Sequence, residues 1–243
     1  MNRNYDQIKS ALLDFGKRND ICLEEYSRLS AADNIADVIA VVKDNFGWCV
    51  KCDDFAGVLM DHRDQFAEHR IWIDQDVEVY DGDGFILITE GVFRVESRGL
   101  SSLSLTSCGN SKIIATSLGS STMNILSCEN SKLVVVSHDD SKIISEIMDL
   151  STVSVSSYNN SNIVVRSYGN STVIAESYGS SELSADSYGF STIIADSLDR
   201  SKTSGTSRDT STMILHTRNI KCKEDTITRY THNKSILVDI KLL

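Results

Sequence analysis

Residues 101–220 divide without remainder into twelve consecutive ten-residue units, each opening with serine from Ser101 to Ser211. A repeat this strict admits few folds, because every unit must bury the same face against the same kind of neighbour. The unit reads Ser, variable, aliphatic, variable, small or aliphatic, variable, Ser, often Tyr, then Gly, Asn or Asp, then a variable residue; Ser171–Ser180 (STVIAESYGS) is a clear copy. Positions 1, 3, 5 and 7 alternate with 2, 4 and 6, the two-residue period of a strand. Position 3 is aliphatic in eleven of the twelve units, with Thr203 the exception, so this face points inward. Position 9 is Gly, Asn or Asp everywhere except Glu129. These residue types tolerate a left-handed backbone, and position 9 therefore marks a tight corner.

A strand of about seven residues and a three-residue corner, repeated without insertion, predict a mainly β fold: a parallel β-solenoid whose coils stack about 4.8 Å apart. An antiparallel meander could use the same turns, but it leaves the aliphatic face bare unless a second layer covers it. A solenoid covers that face by winding on itself. Proline is absent from the whole chain, which suits strands paired on both sides, where every backbone N–H is needed as a donor.

Coil size is addressed by two conflicting signals. With two units per coil, opposed strands run in opposite directions across the core, so the large position 3 faces the often smaller position 5 and serine faces serine. With three, position 5 reads Ala115, Ser145, Ala175, Gly205 along one side, an all-small column. Two units per coil are expected, because a triangular coil with half its inward residues serine would be underfilled; three is the alternative. The inward serines are expected to bond to one another or to the corner backbone, as buried hydroxyls must, and not to form a ligand surface.

Position 4 points outward. In the two-unit register one sheet carries Ile114, Val134, Ser154, Ile174, Ile194 and Ile214 there, and the other carries Ser104, Asn124, Ile144, Val164, Ser184 and Ser204. The first sheet is thus expected to bear an aliphatic outer stripe, the usual mark of a partner surface. Tyr158, Tyr168, Tyr178 and Tyr188 fall at position 8 in four successive units, placing rings on the corners. There they shield the core edge or serve as contact residues, tyrosine being enriched at interfaces.

The flanks differ from the array. Residues 1–70 are expected to form an acidic helical bundle, with apolar residues at helical spacing in Ile8, Leu12, Leu13, Phe15, then Ile35, Val38, Ile39, Val42, Phe46, then Phe55, Val58, Leu59, Phe66. That is three helices, or four if Cys22–Leu29 is helical, with N-caps at Asp6, Asp33 and Asp54 and ends at Gly16 and Gly47. Residues 71–100 read as a β lead-in with a turn at Asp81–Gly84, and GVFRVESRGL (91–100) already resembles a degenerate unit. Residues 221–243 are expected to supply capping strands, ending in Ile236–Leu243 (ILVDIKLL).

Charge and cysteine content narrow the function. Residues 1–90 hold 9 Lys+Arg against 19 Asp+Glu, residues 91–220 hold 10 against 12, and residues 221–243 hold 5 against 3. The basic footprint of a nucleic-acid binder is missing, so direct nucleic-acid binding is not expected. The N-terminal residues lack a signal-peptide layout and no apolar run approaches the ~18–20 residues of a membrane span; a cytoplasmic, membrane-free protein is expected. Cys22, Cys49, Cys52, Cys108, Cys128 and Cys222 are irregularly spaced, as reduced cysteines are. Cys49 and Cys52 form a C-x-x-C, with His62 and His69 beyond, but the spacing fits no common zinc site and core cysteines are the simpler reading.

The units SYGNSTVIAE and their neighbours over Ser167–Asp196 resemble a recurrent class of bacterial and phage decapeptide-repeat proteins whose units run approximately Ala-Tyr-Gly-Asn-Ser-Thr-Val-x-Ala-x. The resemblance covers about half the chain and implies a β-solenoid in a phage or mobile-element setting, with no common activity and no functional residue to transfer. Here Ser replaces the Ala before Tyr, and Cys108, Cys128 and His138 stand where Tyr is usual.

An enzyme is not expected, since a cleft needs loops or a cofactor pocket and twelve units without insertion supply none; no metal or cofactor is expected either. Ice binding fits poorly, because Lys112 and Lys132 interrupt the column Thr152, Thr172, Thr192, Thr212. The expectation is a non-enzymatic interaction or scaffold protein with a protein partner, a homodimer through the solenoid's outer face included, and in a phage setting an inhibitor of a host defence protein. The alternative is an acidic nucleic-acid mimic that inhibits a DNA- or RNA-processing enzyme.

Overall fold

The computed structural model describes residues 3–218, 229–232 and 236–241, with side chains described for residues 5–214. It is mainly β, a parallel β-solenoid of about 7 turns that follows, in the chain, a region of 6 helices. Two compact units are distinguished: residues 1–73 with 85–87, and residues 74–84 with 88–243.

In the first unit the helices are α1 (Arg3–Arg18), α2 (Leu23–Ala31), α3 (Ile35–Asp44), α4 (Phe46–Cys49), α5 (Phe55–Asp61) and α6 (Arg63–Glu68), with strand β1 (Ile71–Ile73) pairing in parallel with Phe85–Leu87. The helical periodicity is real: Ile8, Leu12, Phe15, Val38, Ile39, Val42, Phe46, Phe55, Leu59 and Phe66 are all buried. Phe55 is the hub, its ring 5.3 Å from Phe15 and 6.0 Å from Phe46.

Six helices replace the expected three or four because the third and fourth apolar stretches each break. Asn45 turns the chain between α3 and α4, with its side-chain amide on the Val41 carbonyl and on Glu25. His62 (φ −126°) divides α5 from α6. The caps also move. Asp6 lies inside the first turn of α1, and Asn34, not Asp33, caps α3 by accepting from the Asp37 N–H at 3.0 Å. Asp54 does precede α5, but its carboxylate is spent on Arg18 and Asn19. Gly16 continues α1 instead of ending it. Glycine is required there for packing: a Cβ would stand 2.9 Å from Ile21 Cγ2. Gly47 sits within α4 and does not terminate a helix.

Within the array the second unit follows one rule: each ten-residue unit pairs in parallel with the unit two further along the chain, at an offset of twenty residues. After β2 (Val77–Ile88) and β3 (Val92–Ser107), one row of strands is β4 (Lys112–Ser117), β6 (Lys132–Ser137), β8 (Thr152–Ser157), β10 (Thr172–Ser177), β12 (Thr192–Leu198) and β14 (Thr212–Arg218). The other is β5 (Thr122–Ser127), β7 (Lys142–Ile147), β9 (Asn162–Ser167), β11 (Glu182–Ser187) and β13 (Lys202–Arg208). Register is unbroken: Lys112↔Lys132, Thr152↔Thr172 and Thr192↔Thr212 in one row, Thr122↔Lys142 and Asn162↔Glu182 in the other. Two units therefore make a coil. The all-small column of a three-unit coil is not realised, since Ala115 pairs with Val135 and Val165 with Ala185. The degenerate unit belongs to the ladder, with Val92–Ser97 paired to Lys112–Ser117.

Every position-9 residue from Gly109 to Asp209 has φ between 59° and 72°. Glu129, with φ 59°, obeys the corner although its side chain is not of the favoured kind. Inside, position 3 does face position 5: a Cβ added to Gly205 would meet Met213 Sδ at 2.5 Å and the Ala185 carbonyl at 2.7 Å. Core volume thus sets both residues at once.

The serines form the expected ladders. Each position-7 hydroxyl meets the position-1 hydroxyl across the corner, as in Ser137–Ser141 and Ser167–Ser171, both 2.7 Å. Position 1 then donates to backbone one coil back, as Ser141 does to the Ser117 carbonyl at 3.2 Å. Ile147 replaces a serine, and Ser151 keeps only the backbone bonds that its counterparts also make, to the carbonyls of Met148 and Ser127. Thr203 is the opposite case, a buried hydroxyl with no hydrogen-bond partner among the described residues.

Beyond the twelfth unit the offset lengthens to twenty-four, with Thr212↔Ile236 and Gly205↔Arg229. The segment read as a cap thus supplies further parallel rungs, β15 (Arg229–His232) and β16 (Ile236–Lys241). Cys222, Leu242 and Leu243 lie outside the described residues.

These assignments make two predictions. Ser137→Ala removes one member of a buried hydroxyl pair but leaves Ser141 the Ser117 carbonyl as acceptor, so it should cost about 0.5–1.5 kcal/mol, and Ser137→Ala with Ser141→Ala should cost less than the two single changes added together, because the bond they share is lost only once. The Ser117 carbonyl keeps its bond from the His138 N–H at 2.9 Å. A double-mutant cycle by urea denaturation measures this. Thr203→Val swaps an unpaired buried hydroxyl for a methyl and should stabilise by about 1 kcal/mol, read as a higher urea midpoint at unchanged slope.

Candidate interaction surface

The outer stripe exists as a column. Ile114, Val134, Ser154, Ile174, Ile194 and Ile214 pair in sequence through β4, β6, β8, β10, β12 and β14. Ile114, Val134 and Ile174 are 42%, 47% and 45% exposed, while Ile194 and Ile214 are half-buried. The stripe has a charged frame. At position 2 its first two rungs carry Lys112 and Lys132 and its later rungs carry Thr152, Thr172, Thr192 and Thr212; at position 6, Glu176 and Asp196 stand beside the later rungs. In the other sheet Ile144 and Val164 are flanked along their column by Asn124 and Ser184, so that face is mostly polar.

The corner tyrosines do not form one row. Successive units alternate corners, so the four divide into two stacks: Tyr158 on Tyr178 (centroids 4.9 Å apart, planes 5° apart) and Tyr168 on Tyr188 (4.9 Å, 10°). His138 extends the first stack, 4.8 Å below Tyr158, and the Arg208 guanidinium caps the second, 5.5 Å from the Tyr188 ring. The near-parallel geometry is imposed by the coil spacing. All four rings are half-buried, so their edges shield the core while their faces are occupied by one another. Tyr178 donates to Glu176 at 2.8 Å, and that bond pushes its phenol up to about 12. Burial, the first cause, raises Tyr168 as well.

Two exposed apolar corner residues of the array escaped the sequence reading. Leu150 and Phe190, 62% and 70% exposed, stand at position 10 on the same corner as Tyr168 and Tyr188. Their signal was an apolar side chain at a position otherwise filled mainly by Asn, Ser, Asp, Thr and Arg.

The C-x-x-C is divided. Cys49 is buried in α4, where desolvation pushes its thiol up to about 12, and Cys52 follows the helix with its Sγ 3.7 Å from the Trp48 carbonyl. No group of three or more His, Cys, Asp or Glu side chains is arranged to hold a metal ion among the described residues. None of the described helices is long and apolar enough to cross a membrane. Comparison with protein-family models, curated proteins and solved structures gave no match.

The tyrosine stack has a pH signature. A phenol raised to about 12 when folded, against about 10 unfolded, binds its proton more tightly in the native state. Its contribution is complete below about pH 10 and is lost as pH rises through about 12. In a 295 nm titration Tyr178→Phe should remove the latest-ionising component, and Glu176→Gln should move that component to lower pH.

Proposed function

We propose that the protein is a non-enzymatic interaction scaffold whose contact face is the aliphatic stripe of Ile114, Val134, Ile174, Ile194 and Ile214, and that a second copy of the chain is its first partner. The observation that carries this reading is the outward exposure of branched aliphatic side chains in strict register along one face. A rigid parallel sheet holds such side chains with no backbone to order on binding, and branching at Cβ keeps their own rotamer loss small.

Size and charge favour the second copy. At ~4.8 Å per rung and ~3.3 Å per residue the stripe and its frame span about 24 by 20 Å. That is about 500 Å² per copy, near the ~1,000 Å² total at which specific interfaces begin. In an antiparallel pairing Lys112 and Lys132 lie over Thr212 and Thr192 of the second copy, so that no like charges meet. The corners hold three residues throughout the array, with no long loop to build a substrate cleft.

The expected association is weak, in the micromolar range, given an interface of the smallest specific size. Sedimentation velocity of the full chain should show a concentration-dependent dimer that Ile174→Lys abolishes. A strict monomer at all concentrations would remove the second copy as partner.

A further inference from the structure

Cys108 and Cys128 occupy position 8 in consecutive coils of one corner, each anchored by its backbone N–H to the coil before: to the Ile88 carbonyl and to the Ser107 carbonyl, both at 2.9 Å. Their thiols point the same way, Cys108 Sγ lying 3.7 Å from the Ile88 carbonyl and Cys128 Sγ 3.5 Å from the Ser107 carbonyl. Both are half-buried. Met148 holds the same position one coil on, its N–H on the Ser127 carbonyl at 2.8 Å. Three sulfur residues therefore succeed one another along this corner, immediately before Tyr168 and Tyr188 take over the column.

The surroundings of the pair are acidic. Glu129 donates its own N–H to Asp149 and returns its carboxylate to the Gly109 N–H at 2.9 Å. Asp74 is held by the Thr89 N–H and hydroxyl, both at 2.7 Å. Glu129 and Asp74 disfavour the Cys108 thiolate; the Cys128 thiol is lowered by its hydrogen bond with Cys108, against burial and the charges of Glu129 and Asp149. The Cys108 thiol is pushed far up, first by its hydrogen bond with Cys128 and then by burial. Two thiolates are costly here and a cation between them is not.

We propose that Cys108 and Cys128 form a two-coordinate site for a soft monovalent cation, copper(I). Thiolates select such ions, which are content with few ligands, whereas a structural zinc site wants four. The spacing fits: side chains stacked in parallel one coil apart are about 4.8 Å apart, and two metal–thiolate bonds of ~2.3 Å, as for zinc, span about 4.6 Å. A disulfide fits less well, because it draws Cβ atoms to about 3.5–4.5 Å, closer than the coil repeat. Binding breaks two S–H bonds, forms two S–Cu bonds and releases two protons, leaving copper(I) bis-thiolate with one net negative charge. No electron is transferred, and the acidic neighbours face one negative charge in place of two.

The test is anaerobic titration of the reduced full chain with copper(I), in competition with bicinchoninate. Cys108→Ser and Cys128→Ser should each lower the affinity of one copper at least tenfold, with unchanged circular dichroism. A double variant that keeps wild-type stoichiometry and affinity overturns the proposal, as does a wild-type chain that yields all copper to the chelator. Alkylation mapping of the unmutated protein avoids any folding defect: one equivalent of copper(I) should protect Cys108 and Cys128 from N-ethylmaleimide before Cys22. Equal labelling with and without copper, or protection of Cys49 and Cys52 alone, refutes it.

Discussion

The twenty-residue parallel ladder is the constraint from which the rest of the solenoid follows. Backbone N–H and C=O groups of the strands in one coil are satisfied by the coils before and after it, so each residue is stacked on the residues twenty places away. A side chain that suits its own position must also suit its copy at about 4.8 Å. Serine, small enough to pair across a corner and able to donate and accept, meets that demand at strand ends. Tyrosine meets it on the corners by stacking face to face. Like charges meet it poorly, and Lys112 over Lys132 is tolerated because both ends reach solvent.

The inside is held by complementary volumes. Position 3 is large and position 5 often small, and Gly205 beneath Met213 shows how closely one follows the other. Where the pattern lapses the consequence is local: Ile147 deprives Ser151 of a hydroxyl partner, and the backbone acceptors shared by its counterparts still serve it. Thr203 has no such recourse among the described residues. Stability in such an array is a sum over coils and their interfaces, so one lapse is absorbed without disturbing the register of its neighbours.

The array was legible in the sequence because each of its rules recurs twelve times. Strand period, corner residue, serine pairing and coil size could all be read from repetition and core volume. The helical unit was legible in its helices and core but not in its breaks and caps, because the interactions that decide these occur once. That Asn34 caps α3 and that Gly16 makes room for Ile21 are local contacts with no repeat to announce them, and that Asp54 serves Arg18 and Asn19 depends on residues distant in sequence. The outer stripe lay between these cases. Its column followed from the twenty-residue register, while the division of the tyrosines into two stacks required that register to be applied to the corners as well. Leu150 and Phe190 were missed because a position read as variable hides its exceptions.

A period of two units per coil gives this chain a parity. Removing or duplicating twenty residues leaves every column with the same neighbours, and the solenoid simply shortens or lengthens by one rung. Doing the same with ten residues transposes all that follows: the Ile174 column would continue into Ser184, and each tyrosine stack would meet the opposite corner. Fold and core would survive that transposition, because inward positions are alike in both rows, but the two outer faces would be scrambled halfway along. The repeat that built this protein can therefore be copied in tens to make a solenoid, but only in twenties to make a surface.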